Sequence, residues 1–220
     1  MTAALLCKPS YLDPSKVGDC PFTHFARVAL HLGGCEYIPW PTAPDAKPNW
    51  LLDEHGGSMP CLAPMGFENG DGAVSDSFKI ASTALPPTPA DTASLAAADG
   101  FFPSIAKFIK NTDAVGEGQD VELRQALVDV LVRLDTHLQS SGATFFGGEA
   151  VGLADASIAT KLFMLECVGN HYKSFTLDSG RMPALSAYQK RMLAVPEFES
   201  TKPELADAVT GWGQARGGGH

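Results

Sequence analysis

VGDCPFTHFARVALHL, residues 17–32, sets Cys20 directly before Pro21 and Pro21 before an amphipathic run. Pro21 suits the first turn of a helix, where a missing N–H costs nothing. Phe25, Val28, Ala29 and Leu32 then fall on one helical face that can anchor the helix on a sheet. A cysteine at a helix start points its sulfur at unpaired backbone N–H groups and the positive end of the helix dipole, and both favour thiolate over thiol. Position 23, where a dithiol pair would carry its second cysteine, is Thr23. The thiol therefore has no local partner.

Outward from this segment the chain divides into two halves. ALLCK reads as a strand before the helix and EYIPW as a second strand after it. PCLAPM and GAV, separated by the turn-forming ENGDG, read as a hairpin, and SDSFKIASTAL as a closing helix. Strand, loop, Cys-Pro and helix is the arrangement of thiol-redox folds. The prolines of LPPTPAD mark a linker. Beyond it Leu123, Leu127, Val130, Leu131, Leu134 and Leu138 share one helical face. Gly152 and Asp155 cap a second helix with Ile158, Leu162 and Leu165 on its buried side. A third runs from Pro183 through Leu193 and stops at Pro196. The division expected is a small α/β domain at 1–85 and an all-helical domain at 86–220, with GGGH as a disordered tail.

Composition narrows the function. Among 220 residues, 25 Asp and Glu oppose 16 Lys and Arg, giving a formal net charge of -9. No basic stripe is available to follow a phosphate backbone, which argues against nucleic acid. No apolar run nears the roughly 20 residues of a membrane span. MTAALLCK lacks the pattern of a secretory signal, so a reducing, cytoplasmic setting is expected, or a chloroplast if a transit peptide has been removed. The cysteines, Cys7, Cys20, Cys35, Cys61 and Cys167, have neither disulfide-framework nor metal-ligand spacing, so no metal is expected. All but Cys20 read as packing residues. His24, His31, His55, His137 and His171 lack partners at a spacing that marks a triad or metal site.

GDCPFTHFARVALHL, KPNW, GGSMPCL, VSDSFKI, ADASIATKLFMLECVGNHYKSF, MPALSAYQKRMLAVPEFESTKPE and TGW occur in the order and spacing of the dehydroascorbate reductases. By these segments, which span nearly the whole chain, the sequence resembles that cysteine-type class of the glutathione transferase superfamily. The resemblance implies a thioredoxin-like N-terminal domain, an all-helical C-terminal domain and a monomer. It also implies reduction of dehydroascorbate to ascorbate, with no bound cofactor and with glutathione as co-substrate. One cysteine then suffices: the Cys20 thiolate attacks the dicarbonyl, ascorbate leaves, and a Cys20–glutathione disulfide is resolved by a second glutathione.

The resemblance also implies roles for further residues. Lys47 would hold a glutathione carboxylate, Met59 and Pro60 would offer main-chain bonds, and Asp76 with Ser77 would take the γ-glutamyl end. Lys8, Asp19, Phe22 and Trp212 would line the substrate side. Met164 replaces a histidine of the plant proteins, and a thioether cannot donate the hydrogen bond that an imidazole can. Each has an ordinary alternative: a solvated lysine, a turn or helix-capping aspartate, an N-cap at Asp76, a packed phenylalanine. Trp50 reads as packing. Two rival functions stay open, an omega-like thiol transferase acting on mixed disulfides through Cys20 and a glutathione-fold binding or membrane-associating protein.

Overall fold

Ala3–Cys7 forms strand β1, whose last four residues are buried. An unbroken apolar run is what a strand covered on both faces requires. In the computed structural model, which describes residues 3–66 and 69–217, β1 is the centre of a three-stranded sheet. It runs parallel to β2 (Tyr37–Pro41) and antiparallel to β3 (Cys61–Pro64). The parallel pairing needs a crossover, and α1 (Pro21–Leu32) supplies it. Alternation along β1 then sorts its side chains. Leu5 packs with Ala26 and Leu30 of α1 and Ile80 of α3 (Ser77–Ala84). Ala4 and Leu6 pack on the other face with Trp50 and Leu51 of α2 (Asn49–His55).

Two elements differ from expectation. Helix α2 has only seven residues, with Trp50 and Leu51 buried, too short for a periodic pattern to show in KPNWLLDEH. GAV contributes a single antiparallel bridge, Leu62 to Val74, rather than a strand. The chain there turns through Gly70 and Gly72, both at positive φ. A Cβ on Gly70 would also lie 2.6 Å from the Trp50 ring, so no other residue fits under that indole.

The second unit is built from α4 (Pro89–Ala97), α5 (Phe101–Lys110), α6 (Gln119–Ser141), α7 (Leu153–Lys173), α8 (Pro183–Leu193), α9 (Pro196–Glu199) and α10 (Leu205–Arg216). The stretch LPPTPAD is less of a linker than its prolines suggest. Pro89 opens α4 behind a Thr88–Asp91 capping box, and Pro196 likewise opens α9. Buried carboxylates fix the helix starts. Asp155 accepts from the amides of Phe146, Gly147 and Gly152 at 2.8, 2.9 and 2.8 Å, and Asp91 accepts from Ala154 N at 2.8 Å. Contacts divide the chain into Met1–Pro86 with Ser200–Asp207, and Pro87–Glu199 with Ala208–His220. The segment Ser200–Asp207, given to the second domain in the sequence reading, thus counts with the first. Of the tail, residues 218–220 lie outside the described residues.

One buried ion pair ties α6 to the end of α7. Lys173 Nζ lies 2.8 Å from Asp120 Oδ1, with both side chains fully buried. Arg124 Nε adds a contact to Asp120 at 3.5 Å, and Gly116 N donates to the same carboxylate. Burial pushes the Asp120 carboxyl up, but the Gly116 bond and the two cations outweigh it, and the net shift is downward. Its stabilising effect is therefore complete above the ordinary carboxylate range and is lost as pH falls through the lowered value. Lys173→Met should cost about 3 kcal/mol, the low end for breaking a buried pair, because Arg124 and Gly116 still hold the carboxylate. Urea unfolding of the variant at neutral pH measures this, and a midpoint equal to wild type would show that the pair contributes no net stability.

Candidate active site

The chain leaves β1 at Lys8 and returns to α1 through a tight loop. Gly18 N donates to Lys8 O at 2.8 Å, and Pro9 bridges Val17. A Cβ on Gly18 would stand 2.4 Å from Pro9 O, so this approach requires glycine. The loop sets Lys8 at the end of the strand beside Asp19, with Nζ 2.8 Å from Oδ1. Asp19 is 4 % exposed. Burial pushes its carboxyl up, Lys8 pulls it part of the way back, and Asp207 pushes it up further. For Lys8, burial favours the neutral amine, but the bond and charge of Asp19 more than offset it, and the pKa is raised. The ammonium also sits 4.3 Å from the centroid of the Tyr11 ring.

Cys20 is the N-cap of α1 and half-exposed, and its sulfur bonds none of the first-turn amides. Phe22 beside it is 37 % exposed. Thr23, three residues along, is fully buried, and its hydroxyl has no hydrogen-bond partner among the described residues. The thiol that senses Cys20 is Cys7, at the buried end of β1. Burial pushes Cys7 up to about 11, with Arg27 opposing and Cys20 adding to the shift. Cys61 is also pushed up to about 11 by burial. Cys35 corrects the sequence reading: it is exposed just after the turn that ends α1, with its sulfur directed at Gly33 O, and is not a buried packing residue.

The glutathione-side residues belong to the same unit. Lys47 Nζ donates to Gly57 O at 2.8 Å, across the turn that ends α2. Trp50 is buried against Ala4, Leu6 and Leu51, a packing role. The Met59–Pro60 peptide is cis, with Pro60 buried and Met59 packed on the same cluster. Asp76 caps α3 by accepting from Lys79 N at 2.8 Å, so the ordinary capping role of the aspartate is present. Met164 and Trp212 lie in the second unit. Both are buried, and the indole N–H of Trp212 donates to the Met164 sulfur at 3.0 Å. The indole N–H is thus engaged inside the protein in this arrangement.

Three residues linked to the Lys8–Asp19 pair had no signal in the sequence: Ser10, Tyr11 and Asp207. Ser10 and Asp207 are hydrogen-bonded across 197 positions, and no periodicity or local motif links residues so far apart. Among the described residues no group of three or more His, Cys, Asp or Glu could hold a metal ion.

A solved structure of the dehydroascorbate reductase of Chlamydomonas reinhardtii superposes with a TM-score of 0.77 at 24% identity, covering 97% of this chain and 98% of that one. The chain has the fold of the glutathione transferase superfamily. It also resembles the dehydroascorbate reductases in sequence: the Arabidopsis thaliana protein named glutathione S-transferase DHAR2 is 29% identical over 205 residues, 90% of this chain and 91% of that protein. Mouse chloride intracellular channel protein 3 is 26% identical over 220 residues, covering 91% of each. No family model matches the chain.

These thiol environments predict a labelling order. At pH 8 a thiol of pKa about 11 is ionised in roughly one molecule in a thousand. Under brief iodoacetamide treatment of the folded protein, Cys20 and Cys35 should be alkylated while Cys7 and Cys61 stay unmodified until denaturant is added. Peptide mass mapping reads the order, and labelling of Cys7 as fast as Cys20 would contradict it.

Proposed function

We propose that the chain reduces dehydroascorbate with glutathione through the single thiol of Cys20. The observation that carries this reading is a half-exposed thiol at the start of α1, next to a Lys8–Asp19 ion pair and without a second cysteine at position 23. The Cys20 thiolate adds to a carbonyl carbon of the substrate, whose oxygen takes a proton. Water attacks the sulfur, the S–C bond breaks with its electron pair going to carbon, and ascorbate leaves Cys20 as a sulfenic acid. One glutathione condenses with it, losing water, to give the mixed disulfide. A second glutathione thiolate then attacks that disulfide, so two glutathiones lose the two electrons that the substrate gained.

Roles follow for the neighbouring groups. Lys8 and Asp19 would bind the oxygens of the substrate, and Phe22 would wall its ring. Lys47, already an ammonium donor to a carbonyl, would exchange Gly57 O for a glutathione carboxylate. Asp76 spends one oxygen on Lys79 N, leaving the other for the γ-glutamyl ammonium beside Ser77. Met59 would contribute main-chain bonds at the edge of β3. Met164 and Trp212 would act as a pair, the methionine setting the orientation of the indole through its sulfur.

Initial rates measured with dehydroascorbate and glutathione varied independently test the scheme. Parallel double-reciprocal lines are expected, and intersecting lines would sink the substituted-enzyme cycle. Cys20→Ser should abolish turnover, and Lys47→Ala should raise the KM for glutathione by roughly tenfold to a hundredfold, the loss of one charge-assisted contact.

Likeness to the chloride intracellular channel protein supports a second reading, a membrane-associating protein with little turnover. Reversible binding to liposomes, with negligible dehydroascorbate reduction, would favour it. No helix among the described residues is long and apolar enough to cross a membrane. Faster turnover of a glutathione mixed disulfide than of dehydroascorbate would instead indicate a thiol transferase.

A further inference from the structure

The segment Ser200–Asp207 returns to the first unit and brings the Asp207 carboxylate to the loop that follows β1. Arg27 Nη1 bonds Thr201 O at 3.0 Å and Lys16 pairs with Glu204 at 3.3 Å, anchoring the segment. Asp207 itself is 2 % exposed. Its Oδ1 accepts from the Ser10 hydroxyl at 2.7 Å and from the backbone amides of Tyr11 and Leu12 at 2.6 and 3.4 Å. Ser10 Oγ in turn accepts from Leu12 N and Asp13 N, both at 3.1 Å.

All these donors are neutral, and Oδ2 is buried with no hydrogen-bond partner among the described residues. Burying a carboxylate without a cation costs several kcal/mol, and an asparagine could hold the same loop without that cost. Asp207 stands in the first turn of α10, where the helix dipole favours a negative charge, and its charge also reaches the Asp19 carboxyl. The groups that act on Asp19 are Lys8 at the end of β1 and Asp207, and Tyr11 reaches it through Lys8.

We propose that Asp207 is a positioning residue for the Cys20 site, acting through the Ser10–Leu12 backbone and through the Lys8–Asp19 pair. It rests on the reading of Cys20 as nucleophile. Asp207 holds the amide of Tyr11, whose ring underlies the Lys8 ammonium, and Lys8 holds Asp19 beside the thiol. The fixed charge of Asp207 works against ionisation of Asp19, in the same direction as burial. Asp19 thus takes up a proton at higher pH than an ordinary carboxyl, and the Lys8–Asp19 pair that flanks Cys20 is held in place from the Asp207 side.

Two variants of the full chain separate the charge from the clamp. Asp207→Asn keeps an acceptor for the loop and removes the charge, so the Asp19 carboxyl, followed by carbon-13 NMR, should titrate at lower pH than in wild type. Ser10→Ala weakens the clamp and keeps the charge, so it should raise the KM for dehydroascorbate by roughly threefold to tenfold, as for one lost hydrogen bond, while the Asp19 titration stays put. An unmoved Asp19 titration in Asp207→Asn, or a wild-type KM in Ser10→Ala, would overturn the proposal. Cys20→Ser assayed in parallel tells the two readings apart. If that variant is active, the nucleophile assignment fails; if it is inactive while the Asp207 and Ser10 variants behave as wild type, only this inference fails.

Discussion

Burial of β1 on both faces is the constraint on which the first unit depends. Ala4 to Cys7 are covered by α1 and α3 on one side and by α2 on the other, so the strand has no freedom to slide or turn. Lys8 is the first polar residue after it and emerges at a fixed point. Because α1 must begin where the strand ends in order to cross to the parallel β2, Cys20 arrives at the same edge. Open α/β sheets commonly place their chemistry at the carboxyl ends of strands for this reason.

At that edge a helix-start thiol stands beside an aspartate. Alone, Asp19 would oppose ionisation of its neighbour. The contact of 2.8 Å to Lys8 converts it into half of an ion pair, whose field falls off faster than that of a single charge. Cys7 lies close enough to sense Cys20 but is held protonated by burial. Of the two sulfurs, therefore, one is half-exposed and the other is buried as packing.

The helical unit uses buried charge for shape. Asp91 and Asp155 satisfy amides that the starts of α4 and α7 would otherwise leave open, and Asp120 and Lys173 pin the start of α6 to the end of α7. Such groups demand full satisfaction, and that demand specifies one arrangement of helices where apolar packing alone would accept several. Met164 shows the same economy with a softer group: its sulfur serves the Trp212 indole, which would otherwise be a buried donor without an acceptor.

Local chemistry was legible in the sequence. The apolar run of β1, the Cys-Pro start of α1, the leucines of α6 and the Gly152–Asp155 start of α7 each depend on residues within a few positions of one another, and they form where read, whereas the face of α1 that meets the sheet is Ala26 and Leu30 rather than the expected Phe25, Val28, Ala29 and Leu32. Cys20 as the thiol at a helix start was visible for the same reason. The short α2, the bridge that replaced an expected strand and the exposure of Cys35 were not, because two or three residues carry too little pattern to separate helix, strand and turn. The Lys8–Asp19 pair and the Asp207 clamp were decided only in three dimensions. They join residues 11 and 197 positions apart through loops, and what brings such groups together is burial of the elements between them, which no local window records.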